Sequence, residues 1–274
     1  MSDAVTKTAP GAVVRYDYGA DMNRGFHNVD QSHFQIPFLA ILQSNSPQVS
    51  NEERRIAGAV PGMLFNTVTN RVISGKEGLV LVPAHVEHCY TQWAPRNKGG
   101  GFRGRHEIGS DLVAEAIASG RKSEKGNKPL TKDGDELVET FYMYGLVLDD
   151  ADAVDFSEMV VVAFTSTKIK KYKKAMTTIR TNKPTAGYPL FANRLRVKTV
   201  QESNSEGNFY NFDVEPVAGP GKVTESVIPP TLNDGPHPLL VAGRKLEEQV
   251  LGGAARAAYE SQSGEGTGST DNVF

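Results

Sequence analysis

Cysteine is nearly absent: Cys89 is the only one in 274 residues. That excludes an internal disulfide framework and every metal motif built on cysteine pairs, and it fits a reducing compartment. No apolar run reaches the roughly eighteen residues that a spanning helix needs, and the opening MSDAVTKTAPGAVVRYDYG lacks the charged and apolar blocks of a signal peptide. These absences predict a soluble cytoplasmic protein with no membrane partner. Catalytic motifs are lacking too. Gly219-Pro220-Gly221-Lys222 has Pro216 where a phosphate loop needs its first glycine, and Val223 where it needs Ser or Thr. His85, His88, Cys89 and His106 suggest zinc, but His88 and Cys89 are adjacent and point to opposite faces of a strand, with no second cysteine following. Asp149, Asp150, Asp152 and Asp155 crowd a polar turn without a basic or histidine partner, so a nuclease-type metal site is the weaker reading. The expectation is a non-catalytic protein with no cofactor and no metal.

Hydrophobic residues make up 39% of the chain, enough to bury a real core. The formal net charge of -2 hides a strong polarisation. From Lys168 to Lys198 there are ten Lys or Arg and no Asp or Glu, whereas from Gln201 to Phe274 there are four basic and eleven acidic side chains. A basic middle followed by an acidic end is the pattern of a protein whose one part meets a polyanion.

Local patterning predicts a mostly β fold. Residues 1–77 read as an N-terminal extension with short strands, around Ile36 to Gln43 and Gly62 to Asn66. The run from Gly78 to Trp93 is rich in β-branched and aromatic residues and forms the first long strand, with Pro83 at an edge or bulge. Residues 94–134 form a long basic, glycine-rich loop carrying a short helix near Asp111 to Ser119. Lys132-Asp133-Gly134-Asp135 turns the chain into a strand ending at Leu148, and MVVVAFTST is the next strand. Thr165-Ser166-Thr167 offers capping chemistry for a helix over Lys168 to Thr178 that sets Ile169, Tyr172 and Met176 toward the core. Leu190 to Thr199 alternates, with Phe191, Leu195 and Val197 on one side and Arg194, Arg196 and Lys198 on the other. NFYNFDV is the last strand. This order is that of an OB-like five-stranded barrel with one helix between strands 3 and 4, occupying residues 78–217. A linker and helix follow over 218–260, and then a tail, 261–274, expected to be disordered.

Three features carry a nucleic-acid reading. The basic block offers Lys170, Lys171, Lys173, Lys174, Arg180, Lys183, Arg194, Arg196 and Lys198 to phosphates. The loop motif Gly99-Gly100-Gly101-Phe102-Arg103-Gly104-Arg105, with Trp93, Arg96 and Lys98 before it, combines close backbone approach, guanidinium groups and aromatic platforms. Tyr142, Tyr144 and Phe209 are further stacking candidates, although alternation lets only one face of their strands meet a ligand.

The plan from Gly78 to Pro216, the helix opening TSTKIKKYKK, the turn and strand ESNSEGNFYNFDVE, and the segment IPFLAILQSNSPQ together resemble phage-encoded single-stranded DNA-binding proteins with an OB-fold. The resemblance implies sequence-independent binding and protection of single-stranded DNA during replication or recombination, in the host cytoplasm. It also implies a tail whose terminal aromatic, Phe274, recruits replication or recombination proteins, and it accommodates a homo-oligomer. The alternatives are a phage virion or assembly structural protein and the metal-dependent nuclease.

Overall fold

The computed structural model describes residue 25 and residues 35–95, 98–124, 127–205 and 207–259. Short elements open it: β1 (Gln35–Ile36), β2 (Leu39–Ile41), α1 (Pro47–Ser50), β3 (Leu64–Asn66) and β4 (Val72–Ile73). Long ones follow: β5 (Leu79–Trp93), β6 (Phe102–Glu107), α2 (Asp111–Ala118), β7 (Glu136–Leu148), β8 (Glu158–Thr165), α3 (Lys168–Thr181), β9 (Leu195–Asn204) and β10 (Gly207–Pro216). The described chain closes with β11 (Thr231–Leu232), β12 (Gly235–Pro236), α4 (Pro238–Leu251) and β13 (Arg256–Ala257). No helix among the described residues is long and apolar enough to cross a membrane.

The main sheet runs β10-β9-β5-β7-β8, with β6 beside β5, and every pairing in it is antiparallel. Strand β5 is its spine. It pairs with β7 along nearly its whole length, with β9 through Leu79 to Leu81, and with β6 through Cys89 to Trp93. The register shifts between Pro83 and His85, the bulge that a proline without an N–H imposes. Two features differ from the sequence expectation. Residues 94–134 are not one open loop, because FRGRHE alternates as a strand does and hydrogen-bonds to β5 as a sixth strand. The sheet is also open: among the described residues no ladder joins β8 to β10.

Segment 36–43 fills that gap. The Val161 N–H on β8 donates to the Pro37 carbonyl at 2.8 Å. At the other edge the Gln43 amide donates to the Tyr210 carbonyl at 2.8 Å and accepts from the Tyr210 N–H at 2.9 Å, as a neighbouring strand would. Leu39 and Ile41 meanwhile join the core between the edges.

Both faces of the sheet are buried. Period-two alternation sends Leu81, Phe141, Met143, Val162, Phe164, Leu195, Val197 and Phe212 into an inner core closed by Ala175 and Ile179 of α3. Val80, Val82, Tyr142, Tyr144, Leu146 and Val161 face an outer core covered by Phe38, Ile228, and Leu239 and Leu246 of α4. Phe191 belongs to this outer core, not to the side of Leu195 and Val197, because it lies in a 3-10 turn, Leu190–Ala192, before the strand begins. Helix α4 comes so close there that a Cβ added at Gly243 would stand 2.6 Å from the Phe191 Cβ. Gly243→Ala should therefore destabilise the protein by about 1–3 kcal/mol through overpacking, although alanine is worth about 1 kcal/mol more than glycine in a helix. Denaturant unfolding checks the sign.

Helix α4 begins on a histidine. The Leu239 N–H donates to His237 Nδ1 at 3.2 Å, so the cap requires a neutral ring. Burial, reinforced by Arg194, holds His237 below the usual histidine range; burial does the same to His85, with Glu247 opposing. Such groups contribute stability above the ordinary pKa of 6.5, and it is lost as pH falls from there toward the folded values. The thermal midpoint should fall between about pH 7.5 and about pH 5.5. The fall should be smaller in His237→Asn, which keeps a cap acceptor that does not titrate; melts at the two pH values decide it.

Candidate nucleic-acid interface

Helix α3 presents the basic block. Its apolar residues Ile169, Tyr172 and Met176 pack on the inner core as their spacing predicts, and Ala175 and Ile179 complete that face. Thr167 takes the cap position, but its side chain makes no capping bond, and Ser166 before it turns at φ 51°. Lys170, Lys173 and Lys174 are exposed on the opposite side. The Lys173 amine lies 5.9 Å from the Phe141 ring centre, and that of Lys168 lies 5.8 Å from Phe212.

Beside the first turns of α3 lies a cleft of about 440 Å³. Ser166, Ile169, Lys170 and Lys173 form one wall, Asn127 to Pro129 the other, and Tyr90, Leu137, Val138 and Glu139 the floor. The Lys128 amine on the far wall is held by Glu136 at 3.0 Å. A ladder of rings runs inward next to it. His88, its side chain 33% exposed, stacks on Phe141 at 3.9 Å and 10°, and Phe141 stacks on Tyr172 at 4.5 Å and 24°. The ladder continues through Phe164 to Phe212, each step 5.5 Å. His88 Nε2 is 3.0 Å from Glu139 Oε1, which fixes the outermost ring. From sequence Tyr90 is not singled out, and His88 is weighed only as a zinc ligand and Phe141 only as a strand aromatic for the core. The signal was their alternation in HVEHCY, which sets His88 and Tyr90 on the inner side with Val86.

Several expected phosphate ligands are instead committed internally. Lys171 pairs with Glu202 at 2.6 Å, where Asn211 also donates at 2.8 Å. Burial alone would raise the Glu202 carboxyl, but those two hydrogen bonds and the charges of Lys171 and Lys170 hold it below its usual range. Lys198 approaches Glu215 at 3.9 Å, and Arg105 pairs with Glu87. The Lys98 amine donates to the Asp133 carbonyl, and Arg180 to that of Ala186 at 3.2 Å. Arg194 precedes β9 and clamps the carbonyls of Ala151, Ser226 and Glu225. Arg103, Lys183 and the half-buried Arg196 stay at the surface on other elements.

The stacking candidates also change role. Tyr142 and Tyr144 are only 1% and 2% exposed, because α4 and the C-terminal strand cover their face of β7; burial raises both hydroxyls well above the usual tyrosine range. Phe209, at 8% exposed, is buried as well. Trp93 and Phe102 do meet, edge to face at 5.5 Å, on the outer side of the β5–β6 hairpin. Arg96 and Phe274 lie outside the described residues.

The metal readings find no support in the geometry. Among the described residues no three His, Cys, Asp or Glu side chains stand close enough to hold an ion. Cys89 faces the outer core while His88 faces inward, and burial pushes the Cys89 thiol up to about 12.

Because Arg194 ties together three carbonyls from two loops, Arg194→Ala should lower the thermal midpoint by roughly 3–12 °C, the effect of losing one charged hydrogen bond in a chain of this size. A melt of the variant against the parent measures it.

No curated protein and no solved structure matches the chain. Residues 5–226 match the family model described as Pam3 phage gp34-like protein. That stretch takes in β1 to β10 and the basic helix between β8 and β9, so the candidate site lies within it. The chain belongs to the Pam3 phage gp34-like family.

Proposed function

We propose that this phage protein binds single-stranded DNA without regard to sequence and protects it during replication or recombination, without catalysis. The observation that carries the reading is the exposed lysine wall of α3, Lys170, Lys173 and Lys174, beside a cleft floored by Tyr90 and flanked by the ring of His88. Cations track a backbone by releasing its counterions, and rings accept any base because every base has a π face. Neither element reads sequence. Strand topology supports an OB-like barrel as the scaffold. The long first strand β5 pairs with both the second, β7, and the fourth, β9, and a helix separates the third from the fourth. In this reading β2 takes the place of a direct β8–β10 ladder.

Titration of a fluorescent oligothymidine of roughly thirty nucleotides, against its duplex form and at several salt concentrations, tests the proposal. Tight binding that prefers the single strand and weakens steeply with salt is expected. Replacing Lys170 and Lys173 together by alanine should weaken binding equally for different sequences. It should also reduce the log–log salt slope by roughly 1.4, two contacts at about 0.7 each. Absence of binding at low salt overturns the reading and favours an assembly role.

A further inference from the structure

On the outer face Tyr259 packs among three aromatic rings. Its ring lies parallel to Phe102, 5.2 Å away at 6°, and meets Tyr142 edge-on at 5.6 Å and Phe38 at 6.1 Å. Its hydroxyl is 3.4 Å from that of Tyr144. The segment after α4 that delivers it pairs with β1 over the two residues of β13, and the Ala258 N–H donates to the Ile36 carbonyl at 2.9 Å. A cavity of about 650 Å³ opens beside the ring, with His85, Glu87, Phe102, Arg105 and Tyr144 on the sheet side and Arg256 on the arm. An aromatic slot with hydroxyls at its base and guanidinium groups at its rim has the chemistry of a nucleotide site.

We infer that Phe102 is a stacking site for a nucleobase of the bound strand, and that Tyr259 occupies it in the unbound protein as a displaceable stand-in. The inference rests on the single-strand reading above and adds to it a second contact region, on the opposite side of β5 from the cleft. A parallel ring at stacking distance shows that the Phe102 face accepts a flat partner. Arg105, paired with Glu87, and Arg256, on the arm, stand at the rim of the same cavity. Displacing Tyr259 parts its ring from Phe102, Tyr142 and Phe38 and releases the arm from β1, while α4 stays seated on Leu239 and Leu246. The closed arm lowers apparent affinity by the fraction of molecules that are open.

Trp93, the only tryptophan in the chain, sits edge-on to Phe102 and reports on the slot. Saturating oligothymidine should change its emission in the unmodified protein. Tyr259→Ala should bind about tenfold tighter if roughly one molecule in ten is open at rest. Tyr259→Phe, which keeps the ring, should bind close to the parent, and adding Phe102→Ala to Tyr259→Ala should abolish the gain. Circular dichroism of each variant checks its fold, and the Trp93 response decides the matter should Tyr259→Ala not fold. Folded Tyr259→Ala binding no tighter than the parent, or Trp93 emission unmoved by saturating DNA, overturns the inference while leaving the α3 cleft intact. Failure of every form to bind overturns both.

Discussion

A strand at the edge of a sheet carries backbone donors and acceptors that need partners, and this fold has two such edges facing one gap. The chain meets the requirement with residues far away in sequence. Pro37 serves β8, the side-chain amide of Gln43 serves β10, and Leu39 and Ile41 fill the space between. The remaining architecture depends on that insertion. With the gap filled, the inner core is sealed along its side, α3 can close its end, and the lysines of α3 are forced outward. Without it, Phe164 and Phe212 would lie against water.

Burial on both sides of β7 then divides the labour of the two faces. Inner-face aromatics touch in a series from Phe212 to His88, tilted at Phe164 and stacked from Tyr172 outward, so the His88 ring is braced by the core itself. On the outer face the aromatics converge under the C-terminal segment, which lies beyond residues 5–226 matched by the family model. The charge pattern follows the same division: acids such as Glu202 and Glu215 neutralise cations that the fold itself needs, and those left at the surface of α3 flank the cleft.

The long strands and the basic helix were legible because each is a local pattern: a β-branched run over 79–93, alternating apolar blocks over 136–165, and helical spacing of Ile169, Tyr172 and Met176. The rest depended on contacts distant in sequence. Alternation puts Tyr142 and Tyr144 on one face of their strand, but a strand covered on both sides shows the same alternation as one with a wet face, and nothing local announces α4 above it. Arg194 looked like its neighbours Arg196 and Lys198 until the carbonyls of Ala151 and Ser226 folded around it. The glycine-rich motif read as a loop because its strand, FRGRHE, is polar and is held only along β5. Tyr90 escaped notice, and His88 read only as a metal ligand, because a single strand does not reveal which helix will stand beside it.

The partners of Gln43 are 167 residues ahead of it in the chain. During synthesis the apolar segment around Leu39 and Ile41 leaves the ribosome long before either edge that it will occupy exists. Its docking is therefore a late event with a large loop to close, which places this protein among slow-folding topologies. Until β10 is complete, that apolar segment lacks one of the two edges it fills.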